Sequence, residues 1–319
     1  MSFSRQVKEE LSKQLSPARH CRIAEFAAIF ALCGRIRQDG EGGHYLQIDT
    51  ENLTVARKSD ILLRYAFQVH VESVVRSHSV KGISYSYQLF VRKRKEVLLI
   101  LKAIKLMDEG GNLWGNSGQI QRRLVQNTCC KRAYLRGSFL VAGSVTNPER
   151  AYHLEIAVQS ENYASELQKL VSDFSMEAKI ASRKKYSVLY LKEGAQIVDF
   201  LNVVEAHQAL MQLENVRIVK EVRNSVNRQV NCETANIQKT VTAAAKQMED
   251  IRYLQCHMGF SQLADGLREI AELRMEYPEH SLQELGQLLP RPISKSGVNH
   301  RLRKISKIAD QMRNCQGGY

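Results

Sequence analysis

The sequence contains no C-x-x-C pair, although it carries seven cysteines, at positions 21, 33, 129, 130, 232, 256 and 315. Adjacent Cys129 and Cys130 do not supply zinc-knuckle spacing, so neither structural zinc nor a disulfide framework is expected. The thiols read as reduced cytosolic groups, and no metal or other cofactor is implied. Also absent is any apolar run near the roughly 18 residues of a membrane helix. The amino terminus is charged from Arg5 onward and lacks the apolar core of a signal peptide. A cytoplasmic chain with no membrane partner is therefore expected. The glycines of G-G-N-L-W-G-N-S-G, residues 110–118, follow no strand and lack a G-K-[ST] ending, which excludes a phosphate loop and leaves a connector.

What is present is ordinary globular material, 44% apolar and 25% charged over 319 residues, enough for two or three domains with real cores. Lysine and arginine number 46 against 33 acidic residues, a net charge of +13. That excess favours a polyanionic partner, nucleic acid foremost.

One stretch occurs twice. Residues 133–144 read A-Y-L-R-G-S-F-L-V-A-G-S, and residues 24–35 read A-E-F-A-A-I-F-A-L-C-G-R. Ala24 matches Ala133, Phe26 matches Leu135, Ala28 matches Gly137, Phe30 matches Phe139 and Gly34 matches Gly143, all at one offset. Ile23, Phe26, Ala27 and Phe30 follow the i, i+3, i+4, i+7 rhythm of a helix face, and each closing glycine suits a left-handed helix terminus. Small residues in mid-helix allow two such helices to approach closely. Arg136 stands where the first copy has Ala27, a departure from an apolar seam that points to a loop or a partner.

The order around each copy also repeats. After Gly34 a polar turn leads to the strand-like Y-L-Q-I-D-T, whose alternation turns Gln47 and Asp49 outward. A helix capped by Asn52 follows, then strand-like V-H-V-E-S-V-V and S-Y-S-Y-Q-L-F-V, then a helix through Val97, Ile100, Leu101 and Ile104. After Gly143 the same order returns: H-L-E-I-A-V with His153 and Glu155 outward, a helix from Glu161, strand-like M-E-A-K-I-A-S and Y-S-V-L-Y-L-K, and a helix through Ile197, Phe200 and Leu201. This is an internally duplicated domain, with antiparallel sheets and a pseudo-twofold axis between the paired helices. Its halves are residues 1–108 and 127–223, joined by 109–126. Its basic clusters are Arg92 to Lys95 and Arg183, Lys184 and Lys185.

Residues 224–258 read as a linker passing into a helix, and 259–314 as a small all-α domain, with 315–319 as a tail. Leu263, Leu267, Ile270, Ala271 and Arg274 mark an amphipathic helix that ends at Pro278. Ser281 with Glu284 forms a capping box for a short helix. After P-R-P-I-S, Ser294 caps a last helix whose buried stripe is Val298, Leu302, Ile305, Ala309 and Met312. A short helix, a tight turn and a basic helix make a helix-turn-helix, spanning about Ser281 to Ala309. Ser294, Lys295, Ser296, Asn299, His300, Arg301, Arg303 and Lys304 are its expected DNA-binding residues. Asn pairs bidentately with adenine and Arg or Lys with guanine, while Ser294 and the free N–H groups beside it suit phosphate.

The stretch P-I-S-K-S-G-V-N-H-R-L-R-K-I, from Pro292 to Ile305, with the duplicated region before it, resembles the WhiA family of bacterial sporulation and cell-division regulators over nearly the whole chain. The duplicated region is similar to LAGLIDADG homing endonucleases. In active enzymes of that kind the residue before each final glycine is an acid, and the two carboxylates hold divalent metal. Here those positions are Cys33 and Ala142, so the resemblance implies a domain with no catalytic residue and no metal. Asp39 and Glu149 lie beyond the helix ends.

The fold expected is α+β: a duplicated LAGLIDADG-like domain followed by an all-α helix-turn-helix domain. The function expected is a non-enzymatic, sequence-specific regulator that binds double-stranded DNA and is nucleoid-associated. The resemblance implies roles in cell division, chromosome segregation and, in spore formers, sporulation. Two alternatives stand beside it. One is a metal-dependent nuclease or RNA-processing factor using the displaced acids; the other is a scaffold whose LAGLIDADG-like domain docks a protein partner, with DNA contact secondary.

Overall fold

A computed structural model of the chain describes residues 2–38, 40, 43–78, 84–108, 110, 112–113 and 119–316. The chain forms two compact units, Met1–Glu221 and Val222–Tyr319.

The first unit opens on α1 (Phe3–Lys13), whose Phe3, Val7 and Leu11 repeat every four residues and are all buried. Then come α2 (Arg19–Cys33), β1 (Gly34–Gln38), β2 (His44–Thr50), α3 (Leu53–Leu62), β3 (Glu72–His78), β4 (Ser84–Val91) and α4 (Arg94–Ala103). The series returns as α5 (Thr128–Ala142), β5 (Gly143–Val145), β6 (Leu154–Val158), α6 (Glu161–Ser172), β7 (Lys179–Arg183), β8 (Tyr186–Leu191) and α7 (Gly194–Val203). Caps set the expected starts: the Asn52 side chain accepts from Thr54 N at 2.9 Å, and the Ser160 side chain accepts from Tyr163 N. Two antiparallel four-stranded sheets result, ordered β1-β2-β4-β3 and β5-β6-β8-β7. Their identical orders are the duplication in three dimensions, and α+β is the observed class.

The two copies meet through α2 and α5, the most extensively contacting pair of elements. The approach is close: a Cβ at Gly137 would lie 2.5 Å from the carbonyl oxygen of Glu25 and 3.1 Å from Ala28 Cβ. Phe26, Leu135, Phe139 and Leu140 are fully or almost fully buried in the surrounding core, and burial of each such side chain is worth about 1.5–3 kcal/mol.

Three expectations change. Gly34 and Gly143 are not left-handed: both are extended, at φ −91°, ψ 152° and φ −81°, ψ 152°. Each ends its helix and begins a strand directly, β1 and β5, neither of which the sequence pattern marked. Glycine serves here by leaving room, since an added Cβ would lie 2.2 Å from the ring of Phe30 at Gly34 and of Phe139 at Gly143. Second, Arg136 lies inside the core, 2% exposed, where it pairs with Glu25 of α2 and reaches a loop only at Glu205, in the turn after α7. Third, the stretch read as a linker is helical. The helix α8 (His207–His257) begins in the first unit and continues into the second.

In the second unit, α9 (Asp265–Glu276), α10 (Leu282–Leu288) and α11 (Lys295–Gln316) enclose a separate core. Leu267, Ile270, Leu285, Leu289, Val298, Leu302, Ile305 and Ala309 form it with Ile251 and Leu254 of α8. No helix among the described residues is long and apolar enough to cross a membrane.

Candidate functional site

The helix-turn-helix assembles from its caps inward. Ser281 Oγ accepts from Glu284 N at 3.3 Å, and Ser281 N donates to Glu284 Oε2 at 2.7 Å, which completes the capping box of α10. That backbone bond holds the Glu284 carboxyl below the usual carboxylate range. The turn folds back tightly: Ile293 N donates to Gly286 O at 3.0 Å, and a Cβ on Gly286 would lie 2.4 Å from Ile293 O. Ser294 then starts α11, its Oγ accepting from Gly297 N at 3.3 Å. Across α9, the buried Arg274 donates to His280 O at 2.6 Å, tying the end of α9 to the start of α10.

With Val298, Leu302, Ile305 and Ala309 in the core, the rotation of α11 decides what remains outside. Ser294, Lys295, Ser296, His300, Arg303 and Lys304 are exposed, and Asn299 is half-buried beside them. Arg301 is placed differently: its guanidinium donates to Gly266 O at 3.1 Å and bridges α11 to α9. Arg313 is also engaged, 2.7 Å from Asp250 and 3.2 Å from Asp310, with its guanidinium over the Tyr253 ring. The exposed basic residues of this segment are thus Arg291, Lys295, Arg303, Lys304 and Lys307.

In the duplicated unit, Cys33 and Ala142 are the last residues of α2 and α5, each immediately before its glycine. Cys33 Sγ donates to Ile29 O at 3.2 Å. Burial, with the Asp49 carboxylate adding to it, pushes the Cys33 thiol up to about 12. A neutral thiol and a methyl group offer no hard oxygen ligand to a divalent cation. Glu149 is exposed in a turn, its backbone N donating to Asn147 Oδ1 at 3.0 Å, while Asp39 lies outside the described residues.

The outward faces of the sheets are more basic than the first-strand pattern indicated. Gln47 and Asp49 are half-buried, and Asp49 accepts from Gln88 Nε2 at 3.4 Å. Arg35 pairs in register with Gln47, which puts Arg35 and Arg37 on this same face of β1. Arg76 shares it through β4, and Arg92 lies over the Tyr45 and Phe90 rings at 5.1 and 4.8 Å. In the other copy Glu155 accepts from Ser144 Oγ at 3.2 Å, pairs with His153 at 3.2 Å and lies 3.8 Å from Arg183. Lys179, opposite Tyr190, joins that face. Arg35 and Arg37 escaped the sequence reading because their strand did; a short alternation directly after the helix was the available signal.

At the opposite ends of α2 and α5 lies a second cluster of side chains that no motif spacing marks. The ligand atoms of His20, Cys21, Cys129 and Cys130 all lie within 4.8 Å of one another. His20 Nδ1 is 3.1 Å from Cys130 Sγ and 3.4 Å from Cys21 Sγ. Spacing rules within one segment do not detect two adjacent pairs from distant helices. The internal repeat does, because the offset from Ala24 to Ala133 also carries His20 to Cys129 and Cys21 to Cys130.

Comparison with known proteins agrees with this arrangement along the whole chain. The WhiA N-terminal LAGLIDADG-like domain matches residues 19–107, the WhiA LAGLIDADG-like domain residues 131–223, and the WhiA C-terminal HTH domain residues 226–309. "Probable cell division protein WhiA" of Lachnoclostridium phytofermentans is 52% identical, covering 98% of this chain and 100% of its own. Its counterpart in Alkaliphilus oremlandii is 46% identical, with 98% of each chain covered. The crystal structure of full-length DUF199/WhiA from Thermatoga maritima superposes with a TM-score of 0.59 at 25% identity, over 98% of this chain and 99% of that one.

Proposed function

We infer that this chain, which belongs to the WhiA family, is a non-enzymatic regulator that reads double-stranded DNA through α11 and acts in cell division. Roles in transcription, chromosome segregation and, in spore formers, sporulation follow from the same reading. The observation that carries it is the division of α11 into two faces. One is locked into the core by Val298, Leu302, Ile305 and Ala309; the other presents Lys295, Ser296, Asn299, His300, Arg303 and Lys304 at the start of a helix capped by Ser294. A recognition helix in a major groove uses its first turns in this way, with basic and amide side chains on base edges and the helix start against phosphate. Arg301, occupied with Gly266, serves to position α11.

The duplicated unit contributes architecture without hydrolysis in this reading. Two-metal cleavage needs paired carboxylates over the scissile phosphate, and Cys33 and Ala142 supply none. Genome-wide mapping of binding sites tests the reading, using the intact chain and a Lys295→Ala/Arg303→Ala/Lys304→Ala chain whose core is untouched. A reproducible set of sites lost in the variant is expected. An unchanged set of sites would overturn the assignment to α11.

A further inference from the structure

The proposed function makes no use of the residues at the amino ends of the central helices, and their arrangement is specific. His20 and Cys21 lie in the first turn of α2, and Cys129 and Cys130 in the first turn of α5. The internal repeat relates them in crossed pairs, His20 to Cys129 and Cys21 to Cys130. The pseudo-twofold axis between the helices therefore passes among the four, and each helix contributes two ligand atoms to a common centre. Two pairs of ligand atoms facing one another across a twofold axis can occupy the corners of a tetrahedron.

The distances lie around those of a zinc site. Zinc bonds of about 2.3 Å to sulfur and 2.0–2.1 Å to nitrogen in a tetrahedron put ligand atoms about 3.5–3.8 Å apart. Here His20 Nδ1 stands 3.1 and 3.4 Å from two of the sulfurs, and no pair of the four ligand atoms exceeds 4.8 Å. Cys21 and Cys130 are buried against Ala24 and Ala133, while His20 and Cys129 are exposed, which leaves a path for an ion to enter. Burial pushes the Cys130 thiol up to about 12 and also raises Cys21, so an ion that binds here must displace their protons. Three sulfurs and one imidazole are a soft, borderline donor set that selects zinc over magnesium or calcium.

We propose that His20, Cys21, Cys129 and Cys130 form a zinc site on the pseudo-twofold axis that clamps the amino ends of α2 and α5 to each other. The three thiols release their protons to solvent as they bind, and the imidazole binds neutral through Nδ1. With all four positions taken by protein, the ion is structural. It closes the helix pair at the end opposite the former catalytic positions and joins two segments far apart in sequence.

The test uses the full-length chain, purified under reducing conditions and exposed to zinc alone, with metal counted per chain. About one tightly held zinc is expected. His20→Ala/Cys129→Ala, which leaves the packed Cys21 and Cys130 in place, should weaken binding about tenfold or more. Cobalt(II) in the unaltered chain gives a reading independent of whether the variant folds; an intense tetrahedral spectrum with a thiolate-to-cobalt charge-transfer band is expected. Three results would overturn the site: a reduced chain that takes up neither ion, zinc binding unchanged in the double variant, or a Cys21–Cys130 disulfide in freshly isolated protein.

Discussion

Glu25 of α2 and Arg136 of α5 face each other across the centre of the first unit, Oε2 to guanidinium at 3.2 Å, with 0% and 2% of their side chains exposed. The pair extends on both sides. Glu25 Oε1 lies 3.0 Å from Lys58 Nζ, and Arg136 reaches Glu205 at 2.6 Å. Lys58 also donates to the carbonyls of Leu11 and Gln14, which draws the end of α1 into the same network. Burial holds the Lys58 ammonium below its ordinary range, with Glu25 opposing that shift. Two basic and two acidic side chains thus balance at the helix crossing.

Breaking such a network on one side leaves an uncompensated charge in the core. Glu25→Ala, which leaves Lys58 and Arg136 without their shared carboxylate, should destabilise the first unit by about 3–5 kcal/mol, while replacing Arg136, Glu25 and Lys58 together by apolar residues of similar volume should cost far less. Denaturant unfolding monitored by circular dichroism separates the two. Equal losses would mean that packing, and not charge pairing, holds the crossing.

The closeness of α2 and α5 is testable through Gly137. With Glu25 O only 2.5 Å from where a Cβ would sit, Gly137→Ala must push the helices apart, at a cost of about 1–3 kcal/mol despite the better helix propensity of alanine. A melting temperature at or above that of the unaltered chain would contradict the crossing described.

Because Cys33 and Ala142 offer no paired acids to a divalent cation, no hydrolysis is expected. Incubated with supercoiled DNA and magnesium, the purified chain should leave the plasmid intact. Metal-dependent nicking that disappears in Asp39→Asn or Glu149→Gln would restore the nuclease alternative.

Much of this was legible in the sequence, because the duplicated pattern marks its own elements. The caps at Asn52 and Ser281 and the alternations that became β2, β4, β6 and β8 are local signals, each read from a few neighbouring residues. What escaped depends on contacts between distant residues. Arg136 looks like a surface residue until Glu25 and Glu205 are brought to it. Gly34 and Gly143 look like left-handed caps until the rings of Phe30 and Phe139 are seen to fill the space beside them. Arg301 carries the same charge as Arg303, and only the rotation of α11 sends one to Gly266 and leaves the other exposed. The His20 and Cys129 cluster is divided between two helices and has no local spacing.

Base reading by α11 is measured by the affinity of Arg303→Ala for a selected binding site and for random DNA at one salt concentration. A base contact is worth about 1–3 kcal/mol of discrimination, so the selected site should lose about 5- to 150-fold while random DNA loses much less. Equal losses on both would show that Arg303 only neutralises phosphate, and would contradict sequence reading by this helix.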